Sequence, residues 1–427
     1  MDSENPREIA IRVLRRRVEH GEYIERLLEN EPDANRLKPV DRALCQELVY
    51  GLVRWQTTLD WLVARKTSHR PPVAPLRLLL HLGLYQLFWL QRIPDHAAVH
   101  ETVELCKRLG FRYQSGFLNA VLRGYIRDRD ATVSQLENLR KTDPATGYSH
   151  PAWLVEKWNA RWGEATTVQL LQWNNTPPSV YARLNQIKAD PAALAAAWKL
   201  EQVTSTERTW DWTGGNTVLE LNSHPPLMQC ESFRQGFFYA QDPSTLLAVT
   251  ELNPQPGENI LDLCAAPGGK TSFIAQLMQN RGVISAWDNQ PERLELVRVN
   301  CARLGVICVE YSGTDREGWF DRILVDAPCS NTGVLRRRVD LRWRIKPDEI
   351  DRLRQTQSEL LEQAAPRLKA GGTLVYSTCS LESEENEEVI RRFLDGHAEF
   401  KLKKDRQLTP FTDGVDGAYV AAMVKSD

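Results

Sequence analysis

The sequence predicts a multidomain chain: an all-α amino-terminal bundle, a small α/β linking module, and a carboxy-terminal α/β domain of the doubly wound, Rossmann-like kind. Three observations carry this. The 427 residues exceed what one hydrophobic core usually supports. Up to about residue 130, apolar positions recur every three or four residues, as they do on one face of a helix. From about Asn259, short apolar runs alternate with amphipathic helices, the pattern of a parallel sheet covered on both faces.

The bundle is read from "AIRVLRRRVEHGEYIERLL", "RALCQELVYGLVRW", "LRLLLHLGLYQLFWL", "AVHETVELCKRLG" and "GFLNAVLRGYI", separated by short polar breaks. Pro, Gly and Asn breaks between Thr142 and "NNTPPSVYARLN" mark a boundary, with mixed helices and strands on to about Cys230. Trp210 and Trp212 in this module could stack on bases, but packing is the favoured role. The expected divisions are residues 1–140, 141–232 and 233–427.

With 42% hydrophobic and 26% charged residues and no apolar run of ~18, the composition is that of a soluble globular protein with no membrane role. The opening "MDSENPREIA" is acidic and polar, so a cytoplasmic address is expected. The eight cysteines include no Cys-x-x-Cys pair and no zinc spacing, so no metal is expected and the thiols are read as reduced. A net charge of -2 does not advertise a polyanion partner, so local clusters matter more. Two stand out, Arg15 to Arg17 and Arg336 to Arg338.

"LDLCAAPGGKT" has the outline of a phosphate loop, yet Cys264 stands where such a loop needs glycine, and the dinucleotide Gly-x-Gly-x-x-Gly is missing. Small residues and a turn from Cys264 through Ala265, Ala266, Pro267, Gly268 and Gly269 to Lys270 let a ligand lie against the main chain. Asp288, at the end of the next strand, suits a ribose diol, although it could instead cap the helix opening at Pro291. Asp315 follows a short third strand. A nucleoside with a diol and no phosphates is indicated, and S-adenosylmethionine is such a ligand.

The fourth strand ends in "VDAPCSNTGVLRR" and the fifth in "VYSTCS", so Asp326, Cys329 and Cys379 are expected at one crevice with Lys270. Carbon 5 of a pyrimidine is a weak nucleophile until a thiolate adds at carbon 6, which turns the ring into an enamine. An acid must then attend ring nitrogen 3, for which Asp326 fits, and a base must remove the carbon 5 proton, for which Cys329 fits. Lys270 and the helix expected to begin near Ser383 would favour a thiolate.

"CAAPGGKT", "DAPCS", "STCS…EEN" and the upstream "GFFYAQDPST" resemble the motif set of the Nol1/Nop2/Sun family of RNA cytosine-5 methyltransferases. "DRALCQELVYGLVRW", "LLLHLGLYQLFWL", "IPDHAAVHETVELCKRLG" and "GFLNAVLR" resemble the NusB-like RNA-binding domain, and the combination resembles the bacterial 16S ribosomal RNA branch of the family. That resemblance implies a Rossmann-like, S-adenosylmethionine-dependent methyltransferase acting on a cytosine of 16S rRNA, conventionally numbered 967. It implies Cys379 as nucleophile and Cys329 as the thiol assisting product release. Cofactor contacts would come from residues 264–270, Asp288, Asp315 and Asp326. Asn331 departs from the family's usual small residue, and Arg338-Val339-Asp340 from its usual His-Pro-Asp. Arg336, Arg337 and Arg338, beside the crevice, are then expected to grip RNA phosphates. A monomer without DNA or membrane partners is expected, while naked rRNA or a partly assembled subunit stays open as substrate. Methylation of another RNA such as tRNA, or a non-enzymatic RNA-binding or antitermination role, are the alternatives.

Overall fold

The computed structural model describes residues 5–67, 72–311 and 319–426. The chain divides into two compact units: residues 1–176 with 338–344, and residues 177–337 with 345–427.

The first unit is all-α, as the periodicity requires. Its first helix, Pro6–His20, opens at Asn5, whose side chain accepts the backbone N–H of Arg7 at 2.9 Å, and stops at Gly21 in the left-handed region. Ile9, Ala10, Val13 and Leu14 supply the stripe that enters the core. Two further helices, Ala152–Trp162 and Glu164–Asn174, belong to this unit, so the helical part runs well past residue 140. The reason is packing: Leu154, Trp158, Leu170 and Leu171 are buried, and the Thr57 backbone N–H donates to Ser149 at 3.1 Å. Of the breaks between Thr142 and "NNTPPSVYARLN", the first is a single helical turn, Pro144–Gly147, capped by Asp143, and the division between the two units falls at the last, between Thr176 and Pro177.

Residues 338–344 complete the same unit. Asp340, fully buried, accepts from Arg17 at 2.8 Å, from the Ile24 backbone N–H at 3.2 Å and from Arg344 at 3.0 Å. The equally buried Arg342 donates to the carbonyls of Arg54, Ser149 and Asn174. Three carbonyls converging on one guanidinium let a cation sit in a core without a carboxylate.

The second unit holds two sheets. Strands β1 (Val180–Leu184), β2 (Thr204–Arg208), β3 (Val218–Ser223) and β4 (Phe238–Ala240) form an antiparallel sheet in the order β2-β3-β1-β4. Trp212 is buried with its indole N–H on the Pro243 carbonyl, and Trp210 packs edge-on to Tyr181, so both are packing residues.

The larger sheet contains β5 (Asn259–Leu263), β6 (Val283–Trp287), β7 (Val309–Glu310), β8 (Phe320–Asp326), β9 (Leu368–Thr378), β10 (Phe400–Leu408) and β11 (Ala418–Lys425), in the order β10-β11-β9-β8-β5-β6-β7. Strands β5 to β9 pair in parallel, while β10 and β11 add an antiparallel edge that the alternating pattern did not reveal. Exposed lysines Lys401, Lys403 and Lys404 on β10 are the usual protection of such an edge. In β5, Ile260 enters the core with Phe273 and Val297, whereas Leu261 and Leu263 enter the opposite one with Leu361 and Phe393. Burial on both faces explains the unbroken apolar run. The chain steps from β5 to β6 on one side and reaches β8 on the other, which opens a crevice at the carboxyl ends of β5 and β8.

Candidate active site

The loop after β5 is built from backbone. Cys264 takes a left-handed φ of 67°, the Ala265 N–H donates to the Trp287 carbonyl at 2.8 Å, and Gly268, at φ 98°, delivers the chain into the helix Gly269–Leu277. The first amides of a helix have no partner within it, so this terminus faces the crevice with free N–H groups. Asp288 stands just past β6, where its carboxylate accepts the backbone N–H of Ala266 at 3.3 Å and of Gln290 at 3.2 Å. The second bond turns the chain into Gln290 and is not a helix cap, since the helix Pro291–Leu304 has Gln290 as its N-cap and no side-chain cap; Asp288 thus ties the loop after β5 to the turn after β6.

Beneath the loop lies a residue the sequence reading passed over. Asp262, fully buried on β5, accepts from Thr271 at 2.6 Å through one oxygen, while its other oxygen has no hydrogen-bond partner. Burial, reinforced by the nearby Asp326 and Asp288, pushes its carboxyl up to about 7. Its signal was an acid inside an apolar strand, "ILDL". Burial likewise pushes the Cys264 thiol up, with the same acids adding to it.

On the other side of the crevice, the chemistry is carried by side chains. Asp326 ends β8 and pairs in register with Ser377 of β9, so Cys329 and Cys379 leave adjacent strands at one level. Their sulfurs lie 3.3 Å apart. The Lys270 ammonium donates to Asp326 at 2.6 Å, and Ser377 donates to the other Asp326 oxygen at 3.2 Å. Burial alone would lower the Lys270 ammonium, but the carboxylate opposite more than offsets this and holds it above its ordinary value. The Cys329 thiol is pushed up, first by its hydrogen bond with Cys379 and then by burial. Cys379 is the more accessible of the two sulfurs, being half-buried where Cys329 is 8% exposed.

Both cysteine loops are held by one carboxylate. Glu385 accepts the Ser330 backbone N–H at 2.8 Å and Gln357 at 3.0 Å on one oxygen, and the hydroxyls of Ser330 and Ser380 on the other. Four donors fill its acceptor capacity and tie the residue after Cys329 to the residue after Cys379. Asn386 adds a second tie, accepting from Thr378 at 2.6 Å and donating to the Ser380 carbonyl at 3.0 Å. Gly333 donates to the Cys379 carbonyl at 3.0 Å and accepts from Gly417, where any Cβ would meet the Gly417 oxygen at 2.6 Å. Of these residues, the sequence reading quoted Glu385 and Asn386 only as motif letters.

One expectation needs correction. Arg336 and Arg337 do not offer free charge to phosphate: Arg336 is buried against Asp416 at 2.5 Å, and Arg337 is paired with Asp416 at 2.5 Å and Asp242 at 2.8 Å. Their charges are neutralised by acids distant in sequence. Arg338 is exposed and falls with the helical unit. Asp315 lies outside the described residues.

A doubly wound sheet carrying this loop and these acids at its strand ends defines a methyltransferase domain. Residues 249–423 match the family described as 16S rRNA methyltransferase RsmB/F, residues 4–127 match the NusB family, and residues 150–213 match the ferredoxin-like domain of RsmF/B-like methyltransferases. The probable ribosomal RNA small subunit methyltransferase B of Bacillus subtilis is 33% identical over the full length of both chains. The ribosomal RNA small subunit methyltransferase B of Erwinia tasmaniensis is 36% identical over 99% of each. A solved methyltransferase homologue from Pyrococcus horikoshii shares 30% identity at a TM-score of 0.57, covering 68% of this chain and 99% of its own. The chain belongs to the RsmB/F methyltransferase family.

Proposed function

We propose that this methyltransferase acts on carbon 5 of a cytosine in 16S ribosomal RNA, by resemblance the one numbered 967, with S-adenosylmethionine as donor. The observation that carries the reading is the pair of sulfurs 3.3 Å apart at adjacent strand ends, beside the Lys270–Asp326 ion pair. The donor fits residues 264–270 and Asp288: one Asp288 oxygen accepts the Ala266 N–H and faces Arg293 at 3.6 Å, while the other accepts only the Gln290 backbone N–H and keeps a lone pair for a hydroxyl. When bound there, S-adenosylmethionine supplies an electrophilic methyl group.

In this reading the Cys379 sulfur adds to carbon 6 of an unpaired or extruded cytosine, because a stacked base gives a thiol no approach. Asp326, held by Lys270 and Ser377, faces ring nitrogen 3, where the proton released from Cys379 is taken up as electrons arrive. Carbon 5 would then take the methyl group as S-adenosylhomocysteine leaves, and Cys329, once its own proton is lost, accepts the carbon 5 proton while the carbon 6–sulfur bond breaks, returning the Cys379 thiolate and releasing the RNA. The substrate is RNA, and no described helix is long and apolar enough to cross a membrane.

The test is transfer of labelled methyl groups to fragments of 16S rRNA, with tRNA as the competing substrate. Incorporation confined to tRNA would overturn the substrate, and bisulfite sequencing would locate the base. Cys379→Ala is expected to lower turnover at least ~10³-fold while cofactor affinity stays within about twofold, since the thiol meets the base alone. Cys329→Ala is expected to let a protein–RNA adduct form and persist on a denaturing gel; loss of the adduct would reverse the two roles.

A further inference from the structure

The Asn331 side chain hydrogen-bonds to both cysteines. Its backbone is left-handed, at φ 58°, a conformation asparagine tolerates and most residues resist. Its amide nitrogen donates to the Cys329 carbonyl at 2.6 Å, and its amide oxygen lies 3.1 Å from the Cys379 sulfur. A carbonyl can only accept, so the amide nitrogen must face Cys329 and the oxygen must face the thiol. The other bonds fix the same sense. Cys379 S–H donates to the Asn331 oxygen, which leaves Cys329 as the donor in the 3.3 Å contact between the sulfurs, and the Cys379 backbone N–H donates to the Cys329 sulfur at 3.3 Å. The four bonds close into a ring.

We infer that Asn331 is a positioning residue that latches Cys379: its oxygen holds the resting S–H and opposes loss of the proton until the carboxamide turns away. The inference rests on the reading of Cys379 as the attacking thiol. An acceptor oxygen beside sulfur stabilises S–H and repels the anion, so the closed ring is the resting state and its opening precedes attack. The titratable and charged groups around this sulfur are Cys329 and Asp326 at the end of β8 and Lys270 from the helix Gly269–Leu277, with Glu385 behind Cys329. Substituting a neutral residue leaves all of them in place.

The experiment is alkylation of the full-length protein by iodoacetamide at pH 7 and pH 9, without RNA or cofactor, with each modified cysteine quantified by peptide mass spectrometry. Asn331→Gly keeps the left-handed backbone and removes the acceptor. Alkylation of Cys379 at pH 7 is expected to rise about three- to tenfold, with a smaller rise at pH 9. Asn331→Asp, which places an anion at the same point, is expected to slow it below wild type. Cys308, half-buried in the same unit, reports general loosening and should not change. An unchanged or slower Cys379 in the Gly variant, an Asp variant no slower than wild type, or an equal rise at Cys308 would each overturn the latch. Because alkylation needs no methyl transfer, a failed latch and a failed substrate assignment give separate results.

Discussion

The two sides of the crevice are built by different means. After β5, the cradle of residues 264–270 is backbone: small side chains, a glycine at φ 98° and a helix terminus. After β8 and β9, the thiols are set by a buried side-chain network that gathers Ser330, Gln357, and Ser380, Glu385 and Asn386 from three separate stretches of chain. A backbone site tolerates changes around it as long as its dihedral angles survive. A network site fails at whichever member leaves the most donors unsatisfied.

That difference predicts its largest effect at Glu385. Glu385→Ala leaves the Ser330 N–H, the Gln357 amide and two hydroxyls without their acceptor in a site closed to water, which should cost about 3 kcal/mol or more. Methyl transfer should fall to background as the two loops part. Glu385→Gln should be milder, since the serine hydroxyls can rotate to accept from the new amide. Thermal melts and turnover of the two variants measure this; an Ala variant as stable as the Gln variant would show that the carboxylate is no brace.

The same difference decides what the sequence could reveal. A backbone cradle is contiguous and leaves a compositional mark, so "CAAPGGKT" was legible, as was the strand-end placement of Cys329 and Cys379. The alternation of apolar runs and helices gave the parallel sheet and the helical bundle. A network is assembled by tertiary structure, and its members look ordinary in isolation. Gln357 left only a faint mark: it is polar on the buried stripe of Ile350, Leu353, Leu360, Leu361 and Ala364. Arg336 and Arg337 misled for the same reason, since Asp242 and Asp416, which neutralise them, are 95 and 79 residues from Arg337 in the chain.

Asp262 sharpens the comparison, being a side chain placed under the backbone cradle. Its folded value is about 7 against a reference of 3.8, so between those values the folded form holds a proton that the unfolded chain has released. The stability this contributes is complete below about pH 4 and is lost as pH rises through about 7. Asp262→Asn cannot ionise and escapes that loss. Relative to wild type, its melting temperature should therefore gain on going from pH 5 to pH 8, by an amount of order 2 kcal/mol or about 5 °C. A gap that stays level or narrows across this range would mean that Asp262 ionises without cost in the fold.

The smallest effect on stability belongs to the cradle itself. At Gly268 a side chain meets two obstacles: φ 98° is a value that residues with a Cβ rarely adopt, and that Cβ would lie 3.2 Å from the Val297 backbone and side chain. Gly268→Ala should cost about 1–2 kcal/mol, which the loop can relieve only by turning. Turning re-aims the amides of Gly269 and Lys270, so S-adenosylmethionine affinity should fall about tenfold by calorimetry. Iodoacetamide alkylation of Cys379 should stay as in wild type, because no bond of the Glu385 network or of the ring through Asn331 passes through the glycine turn. If alkylation shifted as much as affinity, the two sides would be one mechanical piece, and the distinction between a backbone site and a side-chain site would not hold here.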